Sequence, residues 1–379
     1  MNGLYDELLN TDFGNQTTWM RERVLDKFIR ILDGGFQPFS QALLPRAPAP
    51  GINGAPVSVE TSFTVSYGTD PMSMAERVSY WEEPTPRGMA FDRETAKALR
   101  YAVQGPHPHP LTFENQFRAG FLDRKNQVLT ENAIKAISRR QEYEGLHYIR
   151  QDATIMNSYT NQASKTMERG LIINVAGGSS ILGAAAQHKA WDTADAEIRD
   201  NILKVKQLYE DFTNEQFTLS RAYCGSKTAY AIETQADIIA SVEKTKDVYS
   251  NLIGVNILGI SFNKVLGNVY KSARSSYKPG VPGEGDYRWD YRDATSGEST
   301  LTTKIMSDSN GEYIIMAGPQ PVGNMFMAKT YPDHTNVNQP YVNEWQDPRT
   351  KLTKSEMSVG ICPFVSDFKK YVILHNLLS

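Results

Sequence analysis

From Val57 to Tyr67 the chain alternates strictly, with Val57, Val59, Thr61, Phe63, Val65 and Tyr67 set against Ser58, Glu60, Ser62, Thr64 and Ser66. A period of two over such a length is the pattern of a half-buried strand. After Gly68-Thr69-Asp70-Pro71 the alternation resumes from Arg77 to Trp81, so the pair reads as a long hairpin with a polar, Gly/Pro-rich far end. A two-stranded hairpin is at best marginally stable alone in water. It needs a surface to lie on, its own or a neighbour's. Glu82-Glu83-Pro84-Thr85-Pro86-Arg87-Gly88 ends the hairpin, and Arg93 to Val103 reads as a short helix.

The period then changes. Gly105-Pro106-His107-Pro108-His109-Pro110 stops any preceding element, and from Leu111 to Thr160 no proline occurs. Charges fall four apart in that run, Glu114 with Arg118, Glu131 with Lys135 and Arg140 with Glu144, which makes them neighbours on a helix. Apolar residues mark two sides: Leu129, Ala133, Ala136 and Tyr143 on one, Ile134, Ile137 and Tyr148 on another. A helix apolar on two sides is gripped by more than one layer. The pattern predicts a spine helix, bent or interrupted at Gly145.

Upstream, Trp19 to Leu32 is helical in pattern, with Val24, Leu25, Phe28, Ile31 and Leu32 on one face, and Gly34-Gly35 ends it. Pro38, Pro45, Pro48 and Pro50 then keep the chain extended, as suits an arm that reaches across a surface. Downstream, Gly170 to Val175 reads as a strand and Trp191 to Phe217 as a helix capped by Asp192 or Thr193. Leu219 to Cys224 is a strand and Ser226 to Val242 a helix; Val255 to Ser272 is β-like. Residues 275–300 and 331–348 are loops, strand pieces meet at Asn310-Gly311, and Tyr313 to Met316 and Met325 to Ala328 follow. A closing strand pair, Met357 to Cys362 and Tyr371 to Leu374, ends the chain. Strands at both ends of an α/β block imply an α+β fold whose domain is interrupted by an inserted one.

Composition narrows the function more than it names it. The 379 residues carry 40 Lys and Arg against 43 Asp and Glu, a net charge of −3. No basic block supplies the positive footprint a dedicated DNA-binding protein needs. The two cysteines, Cys224 and Cys362, are neither a disulfide framework nor a zinc pattern. The first residues lack the basic-then-apolar order of a signal peptide, and no uninterrupted apolar run approaches a membrane span. A reducing interior is the expected place of synthesis. Gly177-Gly178-Ser179-Ser180 lacks the spacing of a phosphate loop, and His107 and His109 have no further clustered ligands. Glu82 and Glu83, adjacent on an extended chain, point opposite ways and make no catalytic pair. Tyr287, Trp289 and Tyr291 alternate with Asp286, Arg288, Asp290 and Arg292, which reads as a half-packed strand before it reads as a base-stacking one. No catalytic constellation emerges, and no cofactor or metal is called for.

The order of elements (arm, long hairpin, spine helix, inserted α/β domain, closing strands) resembles the major capsid proteins of tailed bacteriophages, the Hong Kong 97 type capsid fold. Within it the chain looks most like the lambda-type branch, the major capsid protein E family. The residues that carry the resemblance are the hairpin Val57–Trp81, the run Leu111–Thr160, Trp191-Asp192 with Asp195, Ile198 and Ile202, and the end from Met357 to Phe368 with Tyr371-Val372. The resemblance implies an N-terminal arm over 1–55, an extended β-hairpin loop over 56–92, a peripheral domain with the spine helix over 93–190 and 340–379, and an inserted axial domain over 191–339. It implies a structural protein, not an enzyme, that self-assembles as hexamers and pentamers into an icosahedral shell enclosing double-stranded DNA without sequence-specific binding. Phe63, Val65, Tyr67, Asp70, Met72, Arg77, Tyr80, Trp81, Glu82 and Glu83 of the hairpin become contacts to neighbouring subunits. In the arm that role falls to Phe36, Phe39, Leu43 and Leu44. A scaffolding protein and a portal are the implied partners, with a decoration protein or covalent cross-links as the two alternatives for stabilising the shell, and with no membrane. The place is the virion, after assembly in the host bacterial cytoplasm. The alternative is a cytoplasmic α+β enzyme whose site forms only in three dimensions.

Overall fold

The computed structural model describes residues 39–51, 55–68, 91–104, 121–164, 170–176, 189–193, 196–235, 238, 252–270, 302–308, 311–346 and 353–378. The described chain begins with helix α1 (Phe39–Leu43) and strand β1 (Arg46–Pro48). Strands β2 (Ser62–Gly68), β3 (Phe91–Lys97) and β4 (Leu99–Gln104) precede helix α2 (Phe121–Ile149) and the shorter α3 (Ala153–Tyr159). Then come β5 (Leu171–Asn174), α4 (Ile198–Phe212), β6 (Arg221–Cys224) and α5 (Ser226–Thr234). Short strands follow: β7 (Leu252–Ile257), β8 (Ile260–Lys264), β9 (Asn268–Tyr270), β10 (Thr302–Lys304), β11 (Ser307–Asp308) and β12 (Gly311–Glu312). The chain closes with β13 (Ile314–Ala317), β14 (Gly323–Ala328), β15 (Tyr341–Gln346), β16 (Thr353–Val365) and β17 (Tyr371–His375).

Two sheets organise these pieces. The first has the order β1-β14-β16-β15, with β4 also paired to β16. The second has the order β5-β17-β13-β6-β8-β7. Alternation along the central strands of the second sheet sends side chains into two separate cores. Ile314 and Met316, Val372 and Leu374, Ala222 and Cys224 face the core built with α4 and α5. Tyr313, Ile315 and Ala317, Tyr371 and Ile373, and Tyr223 face the core built with α1, α2, α3 and the first sheet. A sheet covered on both faces reads as an unbroken apolar run, which is why Tyr313 to Ala317 shows no polar alternation. The chain crosses between the two sheets three times, from β4 to β5, from β13 to β14 and from β16 to β17, so the two cores are tied by covalent backbone. Sheet membership cuts across the expected domain limits: β14, from within 191–339, joins the first sheet, while β5 and β17, from within 93–190 and 340–379, join the second.

Of the helical run expected over 111–160, residues 111–120 lie outside the described residues and the rest forms α2 and α3, broken at 150–152. Gln151 takes a positive φ of 66°, and Asp152 then caps α3, its Oδ1 accepting from the backbone N–H groups of Thr154 at 2.9 Å and Ile155 at 3.4 Å. The helical ladder runs through Gly145 without a break. The reason for glycine there is close approach. A Cβ would stand 2.9 Å from Ser40 Cβ on α1 and 3.1 Å from Met325 Cε on β14. The bend expected at Gly145 is therefore replaced by a packing contact, and the break falls five residues later. Gly145→Val should cost about 2 kcal/mol through overpacking, read as a lowered denaturation midpoint; an unchanged midpoint would mean α1 is free to move away.

Further expectations are corrected. The return strand of the hairpin is β3, with Ser62 opposite Lys97 and Gly68 opposite Phe91; the stretch 77–81 lies outside the described residues. Residues 93–103 form parts of β3 and β4, not a helix. Ala, Glu, Lys and Leu there favour a helix locally, but Glu94, Ala96 and Ala98 are buried at period two while Arg93 and Thr95 are exposed, so pairing overrides propensity. The final strands do not pair: β16 lies in the first sheet and β17 in the second. Also, α4 starts at Ile198 after Glu197, so neither Asp192 nor Thr193 caps it. Among the described residues no helix is long and apolar enough to cross a membrane.

Candidate subunit-contact site

The arm and the hairpin are rooted in this chain's own core. Leu43 and Leu44 are fully buried there, and Phe63 is nearly so, its ring meeting Phe326 edge-on at 5.5 Å between centroids. Val65 packs against the same cluster. These four side chains anchor the two elements to the subunit instead of lying open on its surface. Phe39 opens α1, and Tyr67 stands near the end of β2. Phe36, Asp70, Met72, Arg77, Tyr80, Trp81, Glu82 and Glu83 lie outside the described residues, as do Gly177 to Ser180, His107, His109 and the stretch 286–292.

Polar contacts fix the arm root to the spine. Glu142 on α2 is buried, and its Oε1 and Oε2 accept from the backbone N–H of Ser40 at 3.0 Å and from its hydroxyl at 3.2 Å. Arg46 of β1 donates from Nη2 to Gln141 Oε1 at 2.8 Å and from Nη1 to the Asn338 carbonyl at 2.9 Å. Burial pulls the Arg46 pKa down to about 10, so the guanidinium is still charged at neutral pH. β1 also pairs in parallel with β14, Arg46 opposite Met325, at the edge of the first sheet.

A second network braces the hairpin side. Arg140 pairs with Glu144 one turn along α2, as their spacing predicts, and its guanidinium lies 5.1 Å from the Tyr101 ring and 5.2 Å from the Tyr143 ring. The Tyr159 hydroxyl donates to Glu144 Oε2 at 3.1 Å and shares a 2.7 Å hydrogen bond with the Tyr101 hydroxyl. Burial, with the Glu144 charge adding to it, pushes the Tyr101 phenol up to about 12. Tyr148 bonds Thr160 at 2.7 Å and also Gln162, whose side-chain nitrogen reaches the Val365 carbonyl at 3.2 Å. At the hairpin root the Asn161 N–H donates to Glu94 Oε1 at 3.1 Å, and Lys97 pairs with Glu60 in solvent. These bonds lock α2, α3, β3, β4 and β16 into one block, to which β2 is paired through β3.

Among the described residues the β2–β3 pair has one packed face and one exposed face. Phe63 stands opposite Ala96 and Val65 opposite Glu94 on the packed side. Ser62, Thr64, Ser66, Arg93 and Thr95 are exposed on the other. Sequence reasoning found the Arg140–Glu144 pair but not Arg46, Gln141 or Glu142, because nothing local marks a polar side chain that will be buried by a segment a hundred residues away. Among the described residues no group of three His, Cys, Asp or Glu side chains is placed to hold a metal. Cys224 and Cys362 are buried, and burial pushes both thiols far above their ordinary range. Neither is a nucleophile at neutral pH.

No family model matches the chain, and no curated protein matches it. Solved structures do. A phage-related protein of Bordetella bronchiseptica RB50 is similar at 12% identity over 93% of this chain and 96% of that one, with a TM-score of 0.48. The capsid of cyanophage P-SCSP1u is similar at 10% identity over 90% and 89%, with a TM-score of 0.48. A virus-like particle from Pyrococcus furiosus is similar at 10% identity over 94% and 98%, with a TM-score of 0.47.

Proposed function

We propose that this chain is a shell subunit, the major capsid protein of a tailed bacteriophage with the Hong Kong 97 type capsid fold, in its lambda-type branch. The reading is supported above all by one observation: β2 and β3 pair on a braced root, from Ser62 opposite Lys97 to Gly68 opposite Phe91, and among the described residues Ser62, Thr64, Ser66, Arg93 and Thr95 stay exposed. Extended elements rooted in one subunit and finished on another are how a shell gains lateral contact without a pocket. Tyr67, Asp70, Met72, Arg77, Tyr80, Trp81, Glu82 and Glu83 are the proposed contacts of the hairpin with neighbouring subunits, and Phe36 and Phe39 those of the arm. The core around α2 and the first sheet is the proposed peripheral domain; the core around α4 and α5 is the proposed axial domain.

On this reading the subunits form hexamers and pentamers of an icosahedral head that encloses double-stranded DNA in the virion. Assembly takes place in the host bacterial cytoplasm with a scaffolding protein and a portal, and a decoration protein is a possible later addition. The net charge of −3 supports such a role, since a near-neutral or slightly acidic wall does not bind the packaged DNA tightly. The protein works by contact and not by catalysis. Electron microscopy of the purified chain, produced with and without its scaffold, tests this. Closed shells of uniform diameter are the expected result. Small oligomers under both conditions would overturn the reading in favour of a cytoplasmic enzyme.

A further inference from the structure

Between β14 and β15 the chain runs without regular structure through residues 330–340, yet His334 in its middle is only 4% exposed. The ring is the hub of the segment. Its Nδ1 lies 3.3 Å from the backbone N–H of Thr330, which donates to it, and 3.3 Å from the Thr330 hydroxyl. An Nδ1 that accepts carries no proton, so the proton sits on Nε2. Nε2 donates to the carbonyls of Asn336 at 2.9 Å and Gln339 at 3.1 Å. The neutral imidazole thus closes the segment at both ends. Between those two carbonyls lies that of Asn338, which accepts from Arg46 of β1 while the same guanidinium reaches Gln141 on α2.

We infer that His334 is a protonation-operated latch: a second ring proton detaches it from the Thr330 N–H, opens the 330–340 segment and loosens the arm strand Arg46–Pro48. The imidazolium would point a donor at a donor, and only the Thr330 hydroxyl could turn to accept from it. Asp333 favours the added charge and Lys329 opposes it. Tyr341 of β15 lies 5.2 Å from the His334 ring and donates to Asp333, so that carboxylate is shared. Tyr331 stacks on Tyr341 at 4.9 Å and carries Arg100 of β4 at 4.8 Å; Arg100 in turn pairs with Glu356 of β16. Burial is the largest influence and holds the His334 pKa below its ordinary value. A histidine with a depressed folded pKa contributes stability that is full above its unfolded value, about 6.5, and lost as pH falls through the folded one. The latch is shut at neutral pH and opens in acid. It operates within one subunit, whether or not shells form.

Hydrogen exchange of the full chain at pH 7.5 and pH 5.0, expressed as protection factors, tests the latch. Protection in 330–340 and 46–48 should fall severalfold in acid, while β13 and β17 hold theirs. His334→Gln should remove the pH dependence of both segments. Flat protection in the unaltered chain, or an equal fall in the variant, would overturn the latch. Should the variant not fold, the His334 ring resonances of the unaltered chain decide by titration. A midpoint below 6.5 that coincides with the change at Thr330 supports the latch, and one at or above 6.5 sinks it.

Discussion

A chain in which residues 69–90 are replaced by Asn-Gly is expected to fold and melt cooperatively but to build no closed particles. Gly68 lies directly opposite Phe91 in the antiparallel register, so a two-residue link closes the strands in the turn that such hairpins favour. Phe63, Val65, Ala96 and Ala98 are all retained, and with them the contacts that root the pair in the core. Loss of about 1 kcal/mol would shift the midpoint of a chain this size by only a few degrees. Assembly responds differently. On the proposed shell reading every lateral contact made through 69–90 is lost together, so the expected effect on particle yield is all-or-none. Sedimentation and electron microscopy read the yield; calorimetry reads the fold. Undiminished shells would remove the hairpin from the interface, and a broad, non-cooperative melt would place 69–90 in the core.

What the chain's own pattern revealed and what it hid follow from one physical distinction. Period and spacing are local, so β2, α2, α4 and the apolar runs at 313–317 and 371–374 were legible. Pairing is not local. The alternation at 77–81 looked like the nearest partner for 57–67, while the real partner at 91–97 was disguised by helix-favouring Ala, Glu and Lys. Gly145 was visible as a glycine in a helix, but a bend and a close approach predict the same letter. Only Ser40 and Met325, brought there by α1 and β14, separate the two. The same holds for the candidate site. Leu43, Leu44 and Phe63 were expected to contact neighbouring subunits, and nothing local to them shows that they are buried against partners within this chain. Arg140 and Glu144 needed only their four-residue spacing to be paired; Tyr101 and Tyr159, which complete that network, needed the fold.

That network predicts the largest change in subunit stability. Glu144→Ala should cost about 3 kcal/mol, the usual penalty for breaking a buried ion pair from one side. The Glu144 side chain is 1% exposed and that of Arg140 29%, so the loss strands a guanidinium that has little water to turn to. The Tyr159 hydroxyl, fully enclosed, loses its carboxylate acceptor at the same time and keeps only Tyr101. Glu144→Gln retains an acceptor for Tyr159 but not the charge, and should fall between the two. The double change Arg140→Met with Glu144→Leu removes both charges and fills the space, and should recover most of the loss, because apolar replacement of a buried pair is often neutral or better. Denaturant midpoints of the four proteins give the comparison directly. If Glu144→Ala costs less than about 1 kcal/mol, the pair behaves as a solvent-screened surface contact, and the brace between α2, α3 and β4 must come from apolar packing alone. A double variant as weak as the single one would instead show that the Tyr101–Tyr159 bond depends on the carboxylate, with the ion pair incidental to it.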